Sequence, residues 1–191
     1  VEKEAQELAD ELGVKVFKAD IIYHLFDMYT AHAASIVEQK KKDSAPQAVF
    51  PCMLKMVGPD AAFNKRAPLI IGVDVVDGQL RQGTPVCVVH INPETNAREI
   101  TTLGKVVSME VNRKSAAIVR KGDTNAGVAI RIECAPSDTP KAFGRHFDHT
   151  DTIYSLITRS SIDVLKTHFR ADVSTAEWKL IATLKGVLGI P

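Results

Sequence analysis

Between residues 48 and 134 the chain offers six strand-like runs in succession, with no helical stretch to separate them. The runs are 48–57, 69–76, 85–91, 98–112, 115–120 and 126–134, dominated by Val, Ile and Cys at strand spacing. Turn residues part them: Gly58-Pro59-Asp60, Asp77-Gly78, Asn92-Pro93 and Gly122-Asp123. Six short strands without intervening helices predict a closed barrel, because closure removes the exposed edges of an open sheet.

The flanks follow a helical period. Residues 1–12 place Val1, Ala5, Leu8 and Leu12 on one face, and Gly13 stands where a C-terminal cap belongs. Val14-Lys15-Val16-Phe17 then reads as a short strand, so residues 1–19 are expected to be the tail of an α/β domain. The opening Val1-Glu2-Lys3 has no methionine, signal-peptide pattern or cap, and reads as a cut within a longer protein. Asp20 can cap a long helix, with an apolar stripe at Ile22, Phe26, Tyr29, Ala33 and Val37. The stripe fades into Glu38-Gln39-Lys40-Lys41-Lys42-Asp43 before Pro46 ends the helix. Such a helix either docks at one end and crosses solvent at the other, or is an ordinary packed helix with a frayed end. After Pro140 one segment carries Ile162, Leu165 and Phe169, and the next Trp178, Ile181, Leu184 and Leu188. Ser160 or Ser161 can cap the first, and Ser174 with Glu177 makes a capping box for the second. The expected class is therefore α+β: a small antiparallel closed β-barrel with two C-terminal helices, preceded by a long connecting helix and the tail of an α/β domain. The boundaries are 1–19, 20–45, 46–142 for the barrel and 143–191 for the helical extension.

Net charge is +1, which excludes a strongly basic nucleic-acid binder. Its distribution is uneven, −3 over residues 1–45, +3 over 46–142 and +1 over 143–191. A mildly basic middle suits a local phosphate contact. No apolar run approaches the roughly 20 residues of a membrane-spanning helix, so no membrane role is expected. Cys52, Cys87 and Cys134 lie in apolar runs without C-x-x-C spacing and read as buried reduced thiols of a cytoplasmic protein.

Catalysis finds no positive support. Gly78-Gln79-Leu80-Arg81-Gln82-Gly83-Thr84 has the glycine spacing of a phosphate loop but lacks its Lys-Ser/Thr pair and joins strand to strand. A bulged hairpin fits it better. His146 and His149, with Asp148 and Asp151 nearby, fall short of the three or four rigidly held ligands a zinc ion takes, although a metal-dependent enzyme using the two histidines stays open. No nucleophile-and-base set has a recognisable spacing, so no catalytic residue and no metal ligand is assigned.

Three basic tips remain: Asn64-Lys65-Arg66, Asn112-Arg113-Lys114 and Arg120-Lys121. On a small barrel they can foot RNA phosphates, or be ordinary surface charge. No exposed aromatics interleave with them in the sequence, which argues against stacking of single strands. On the last two helices Val164, Leu180 and Val187 lie off the main stripe. Lys166, Arg170, Lys179 and Lys185 can rim a groove for an acidic, partly hydrophobic peptide. A purely structural, scaffolding role is the competing reading.

Longer strings carry a resemblance over the entire chain: Ala19-Asp20-Ile21-Ile22-Tyr23-His24-Leu25-Phe26-Asp27, Val49-Phe50-Pro51-Cys52, Gln82-Gly83-Thr84-Pro85, Lys141-Ala142-Phe143-Gly144-Arg145-His146-Phe147 and Ser161-Ile162-Asp163-Val164-Leu165-Lys166. The chain resembles the C-terminal part of the initiation factor 5B family of ribosome-associated GTPases, relatives of bacterial initiation factor 2. The resemblance implies that residues 1–19 end an α/β/α third domain and that the helix from Asp20 is an arm and lever to a fourth. The barrel would hold the acceptor end of initiator methionyl-tRNA, through Lys65, Arg66, Arg113, Lys114, Arg120, Arg145 and His146. The terminal helices would dock the acidic tail of initiation factor 1A during ribosomal subunit joining, through Val164, Lys166, Arg170, Trp178, Lys179, Leu180 and Lys185. GTP and Mg²⁺ belong to a GTPase domain elsewhere in the parent, so these residues are expected to need no cofactor, to turn over no GTP and to act as a monomer.

Overall fold

Six antiparallel strands close on themselves, and the stave that completes the ring comes from a stretch the sequence reads as helical extension. A computed structural model describes residues 3–91, 97–123, 127–136 and 138–190. The strands are β1 (Cys52–Met56), β2 (Ala62–Asn64), β3 (Leu69–Arg81), β4 (Pro85–Ile91), β5 (Arg98–Val111), β6 (Lys114–Ser115), β7 (Ile118–Arg120), β8 (Val128–Glu133) and β9 (Thr152–Ser155). Around the barrel the order is β1-β9-β4-β5-β8-β3, and β3 returns to β1. The expected run 115–120 supplies no stave: β6 only closes a hairpin with β5, and β7 pairs the far end of β3. Its place is taken by β9, with Tyr154 opposite Met53 on one side and Cys87 on the other. Four residues flanked by His and Asp give too short an alternation to read as a strand. The turn at Asn92-Pro93 and the first residue of the run 126–134 lie outside the described residues.

Alternation along each stave sends one set of side chains inward. Leu54, Ile71, Val106, Ile130 and Ile153 fill the barrel among other fully buried aliphatics. The opposite faces of β4 and β9, with the segment leading into β1, meet the C-terminal helices α3 (Arg159–His168) and α4 (Thr175–Leu188). Phe50, Cys87, Ile162, Leu165, Phe169, Ile181 and Leu184 form that second core, in which Phe50 and Phe169 meet edge to face at 5.7 Å. Capping fixes where the helices begin. Ser174 and Glu177 form the expected capping box of α4, whereas α3 is capped by Thr158, with Ser161 completing the box from the third helical position.

Two glycines are required by close approach. Gly78 (φ +78°) lies opposite Cys52, two residues beyond the bulge of β3 at Val76, and an added Cβ would strike the Pro51 carbonyl. Gly104 (φ +132°) lies against the backbone of Glu133 and Cys134. The expected hairpin around Gly78 and Gly83 does not form. β3 and β4 pair with different neighbours, and the turn between them is a corner of the barrel. Cys134 also departs from expectation, lying just past β8 and only half-buried.

Residues 1–43 and 44–191 are two separate units. In the first, α1 (Lys3–Glu11) ends in a Schellman motif at Gly13, where the Val14 amide bonds to the Ala9 carbonyl (2.8 Å). Ala9 is its buried residue, while Ala5, Leu8 and Leu12 of the expected face are exposed. Residues 14–17 form no strand and pair with none among the described residues; Phe17 instead packs on Tyr29 and His32 of α2 (Ile22–Ser44). The Ile21 carbonyl accepts the first bond of α2, so the cap falls one residue beyond Asp20. None of its residues is buried, and its polar half is supported locally by i,i+4 pairs, Glu38 with Lys42 (3.0 Å) and Gln39 with Asp43 (3.0 Å). Ala45-Pro46-Gln47 ends it in a turn of 3-10 helix.

Candidate functional site

The barrel rim is assembled from two loops far apart in sequence. Asn64 turns the first, its side-chain amide donating to the Pro68 carbonyl (2.8 Å). In the second, Phe143 and Phe147 stack edge to face at 5.5 Å, and the Gly144 amide donates to the Phe147 carbonyl (2.9 Å). The loops are joined where the Phe143 amide donates to the Lys65 carbonyl (3.0 Å), while the Lys65 ammonium lies 5.9 Å from the centre of the Phe143 ring. His146 Nδ1 accepts the Ala142 amide (3.0 Å), which leaves its proton on Nε2. Lys65, Arg66, Arg145 and His146 are thus gathered on one rim.

The other three residues expected at the RNA contact lie elsewhere. Arg113 is at the tip of the β5–β6 hairpin, where Asn112 and Arg113 both have positive φ (52° and 65°), the type I′ geometry that matches strand twist. Lys114 follows at the start of β6, opposite Val111. Arg120 pairs with Gln79, nine residues along β3 from Ile70, the partner of Asn64, or about 30 Å of extended strand. It lines a separate pocket of about 430 Å³ with Lys121, Asp77, Asp172 and Glu177. The seven residues therefore do not form one patch.

That pocket overlies a buried polar strut between barrel and helices. Gln79, 1% exposed, donates to the Glu177 carboxylate (2.7 Å) and the Asp172 carbonyl (3.2 Å) and accepts from Arg81 Nε (2.9 Å). The Arg81 guanidinium lies 3.4 Å from the centre of the Phe50 ring. Burial pulls its pKa down, opposed by the charges of Asp172 and Glu177.

On the helices, Lys166, Arg170 and Trp178 line one pocket of about 360 Å³. Lys179 is exposed, and Val164 and Lys185 are half-buried. Leu180 does not belong with them. It is 4% exposed inside the second core, because the buried stripe of α4 includes Leu180, and Trp178 is left partly open instead.

The histidine cluster is spent on local bonds. His149 Nδ1 pairs with Asp148 Oδ1 at 2.8 Å, which, with the His149 amide, holds the Asp148 carboxyl below its ordinary value. His90 Nδ1 faces Asp151 at 3.8 Å. No three His, Cys, Asp or Glu side chains are grouped to hold a metal ion among the described residues. Nor is any described helix long and apolar enough to cross a membrane. One exposed aromatic escaped the sequence reading: Phe63, beside the basic tip at Lys65 and Arg66. Its signal was the alternation Ala62-Phe63-Asn64, only three residues long.

Comparison with known proteins agrees with this architecture. The family described as elongation factor Tu domain 4 matches residues 51–154. Over its whole length the chain is 48% identical to eukaryotic translation initiation factor 5B of Saccharomyces cerevisiae, 50% to that of Schizosaccharomyces pombe and, over 190 residues, 44% to that of Homo sapiens. It spans only 19%, 17% and 15% of those proteins. Among solved structures, GDP-bound aIF5B from Aeropyrum pernix superposes with a TM-score of 0.59 at 24% identity, covering 98% of this chain and 28% of that one, which bears on the fold alone. By the match across its barrel the chain belongs to the elongation factor Tu domain 4 family, and over its full length it is similar to the C-terminal part of initiation factors 5B.

Proposed function

We propose that this chain is a docking module of a translation initiation GTPase. Its barrel rim holds the acceptor end of initiator methionyl-tRNA, and its C-terminal helices take the acidic tail of initiation factor 1A during ribosomal subunit joining. The observation that carries the RNA half is the gathering of Lys65, Arg66, Arg145 and His146 on one rim, fixed through Phe143. Cations held there displace the counterions condensed on phosphates, so affinity must fall as salt rises. Lys114, Arg113 and Arg120 are outlying phosphate contacts for a longer ligand.

The helix pocket suits the second partner. Trp178 offers an apolar face to a hydrophobic side chain, and Lys166 and Arg170 sit where flanking carboxylates can be met. Lys179, Lys185 and Val164 extend the rim, whereas Leu180 supports it from within. GTP hydrolysis, with its Mg²⁺, belongs to another part of the parent, and the module works as a cytoplasmic monomer on the ribosome. α2, 23 residues and about 34 Å long, serves as a lever. A Gly-Ser break at Gln39 in the full factor then uncouples tRNA binding from GTP hydrolysis; unaltered coupling refutes the lever.

The deciding experiment titrates the chain with initiator methionyl-tRNA at two salt concentrations, and separately with the acidic tail peptide by NMR. Binding that weakens with salt, and shifts clustered at Lys166, Arg170 and Trp178, are expected. No tRNA binding at the lower salt would leave a scaffolding role as the better reading.

A further inference from the structure

The rim carries an aromatic ring that the core does not use. Phe63, the central residue of β2, is 69% exposed, while its neighbours Ala62 and Asn64 are half-buried. The ring lies over Gly72 of β3: a Cβ added there would come 3.6 Å from Phe63 Cε2. Ala61 Cβ would be nearer still, at 3.3 Å, so Gly72 and the small Ala61 side chain together make a low floor at the edge of the ring. Val57, 58% exposed, adjoins the same floor, its amide bonded to the Gly72 carbonyl (3.1 Å). Lys65 and Arg66 follow Phe63 by two and three residues. Their loop is held by the Asn64–Pro68 bond, by the Phe143 amide on the Lys65 carbonyl, and by the Arg66 amide on Asn64 Oδ1 (3.4 Å).

We propose that Phe63 is a stacking platform for one unpaired nucleotide of an RNA strand, with Lys65 and Arg66 taking the adjoining phosphate. The inference rests on the reading of the rim as an RNA-binding face, and it names the residue that receives a base there. Two residues of extended chain span about 7 Å, which matches the reach from a nucleobase to its own phosphate. A base brings the flat π-face that an open phenyl ring accepts, and its phosphate brings the charge that the two cations accept. An acidic peptide matches the cations but meets the ring with a flat face only where it carries an aromatic side chain, whereas every nucleotide carries base and phosphate together. A purely apolar partner would desolvate Lys65 and Arg66 without pairing them.

The test measures fluorescence anisotropy of an end-labelled RNA of about eight unpaired nucleotides with the full chain, at two salt concentrations. Phe63→Ala is expected to weaken binding about 5- to 150-fold, the factor that one base–aromatic stack carries, with an unchanged slope of log affinity against log salt. Phe63→Leu should be as weak, and Phe63→Tyr should restore binding to within about threefold of the parent chain. Lys65→Ala should instead flatten the slope by about 0.7. If the unsubstituted chain binds and Phe63→Ala binds equally, stacking is overturned and the RNA-binding rim stands. If Phe63→Leu binds like the parent chain, the ring is only an apolar anchor of the kind a protein partner uses, and the proposal falls. If the unsubstituted chain fails to bind at the lower salt, both readings fall. Phe63 is exposed, so an unchanged thermal melt of each variant separates lost binding from lost folding.

Discussion

Glu177 adds a buried polar tie between the terminal helices and the barrel, and its removal has a magnitude that can be worked from its contacts. The carboxylate is 8% exposed, accepts the Ser174 amide at 2.6 Å as part of the capping box, and accepts Gln79 Nε2 at 2.7 Å. Glu177→Ala removes the cap contact, about 1 kcal/mol. It also strips the buried Gln79 amide of its shorter bond, leaving the Asp172 carbonyl at 3.2 Å, a further loss of about 1–3 kcal/mol. The total is about 2–4 kcal/mol, or a Tm about 5–15 °C lower for a unit of this size. Glu177→Gln keeps one acceptor but points an N–H₂ at a donor, so its loss should be about half as large. Urea unfolding followed by far-UV circular dichroism measures both, and a double-mutant cycle with Gln79→Ala isolates the pair, with an expected coupling of about 1–2 kcal/mol. The strut would be refuted if Glu177→Ala unfolded within about 0.5 kcal/mol of the parent chain, or if the cycle closed to zero.

Three shorter predictions follow from other features. Burial pushes the thiols of Cys52 and Cys87 up from 9.0 to about 12, so on alkalinisation the unfolded chain loses these protons first; stability should hold below pH 9 and then fall toward pH 12 by about 1.4 kcal/mol per pH unit per thiol, a slope that Cys52→Ala with Cys87→Ala should flatten in urea midpoints. Gly104→Ala, forcing a Cβ into the backbone of Glu133 and Cys134 at φ +132°, should destabilise the barrel by about 3 kcal/mol or more, and an unshifted melting curve would contradict the close approach. Arg113→Gly relieves a left-handed backbone (φ 65°) and should raise stability by about 0.5–1 kcal/mol while lowering affinity for tRNA; a variant that loses stability would show that the turn is not strained.

What the sequence made legible was whatever repeats over many residues or is forced by one. β3 and β5 are long, and their apolar alternation declared them. Ser174 and Glu177 stand three apart ahead of an apolar run, and they do form the cap they predict. Gly13 ends its helix for want of any residue that takes φ +66° as readily. β9 was hidden because a four-residue strand gains its identity from its neighbours, not from its own period. The same holds for Leu180 and Trp178, two residues apart on α4: both are apolar, and only the placement of the helix over β3 and β4 decides which one turns inward. Phe63 was lost for a related reason, since a lone aromatic in a loop reads equally as core or surface until Gly72 is seen beneath it.

The placement of β9 decides how the two proposed surfaces can act on one another. The rim loop containing Phe143 and Phe147 enters β9 from one side, and α3 leaves it on the other. Ser155 fastens the strand from within, accepting the Cys52 amide on its hydroxyl at 3.0 Å in a fully buried site, and Ile153 is wholly inside the barrel. The rim loop and the helix pocket, the two surfaces proposed for RNA and peptide, therefore hang from a single closed stave ring with a fully buried interior. Coupling between sites requires an element with two arrangements that both ligands bias. Close packing of this kind admits one arrangement, since each inward side chain is already interlocked with its neighbours. Saturating the helix pocket with acidic peptide should then leave the affinity of the rim for RNA unchanged to within about twofold, below the roughly fivefold at which allosteric coupling begins. Ile153→Ala, which opens a cavity in the stave itself, should lower stability by about 2–5 kcal/mol without creating coupling. A change in RNA affinity of tenfold or more on adding peptide would mean that the ring flexes, and that β9 is a hinge and not a fastening.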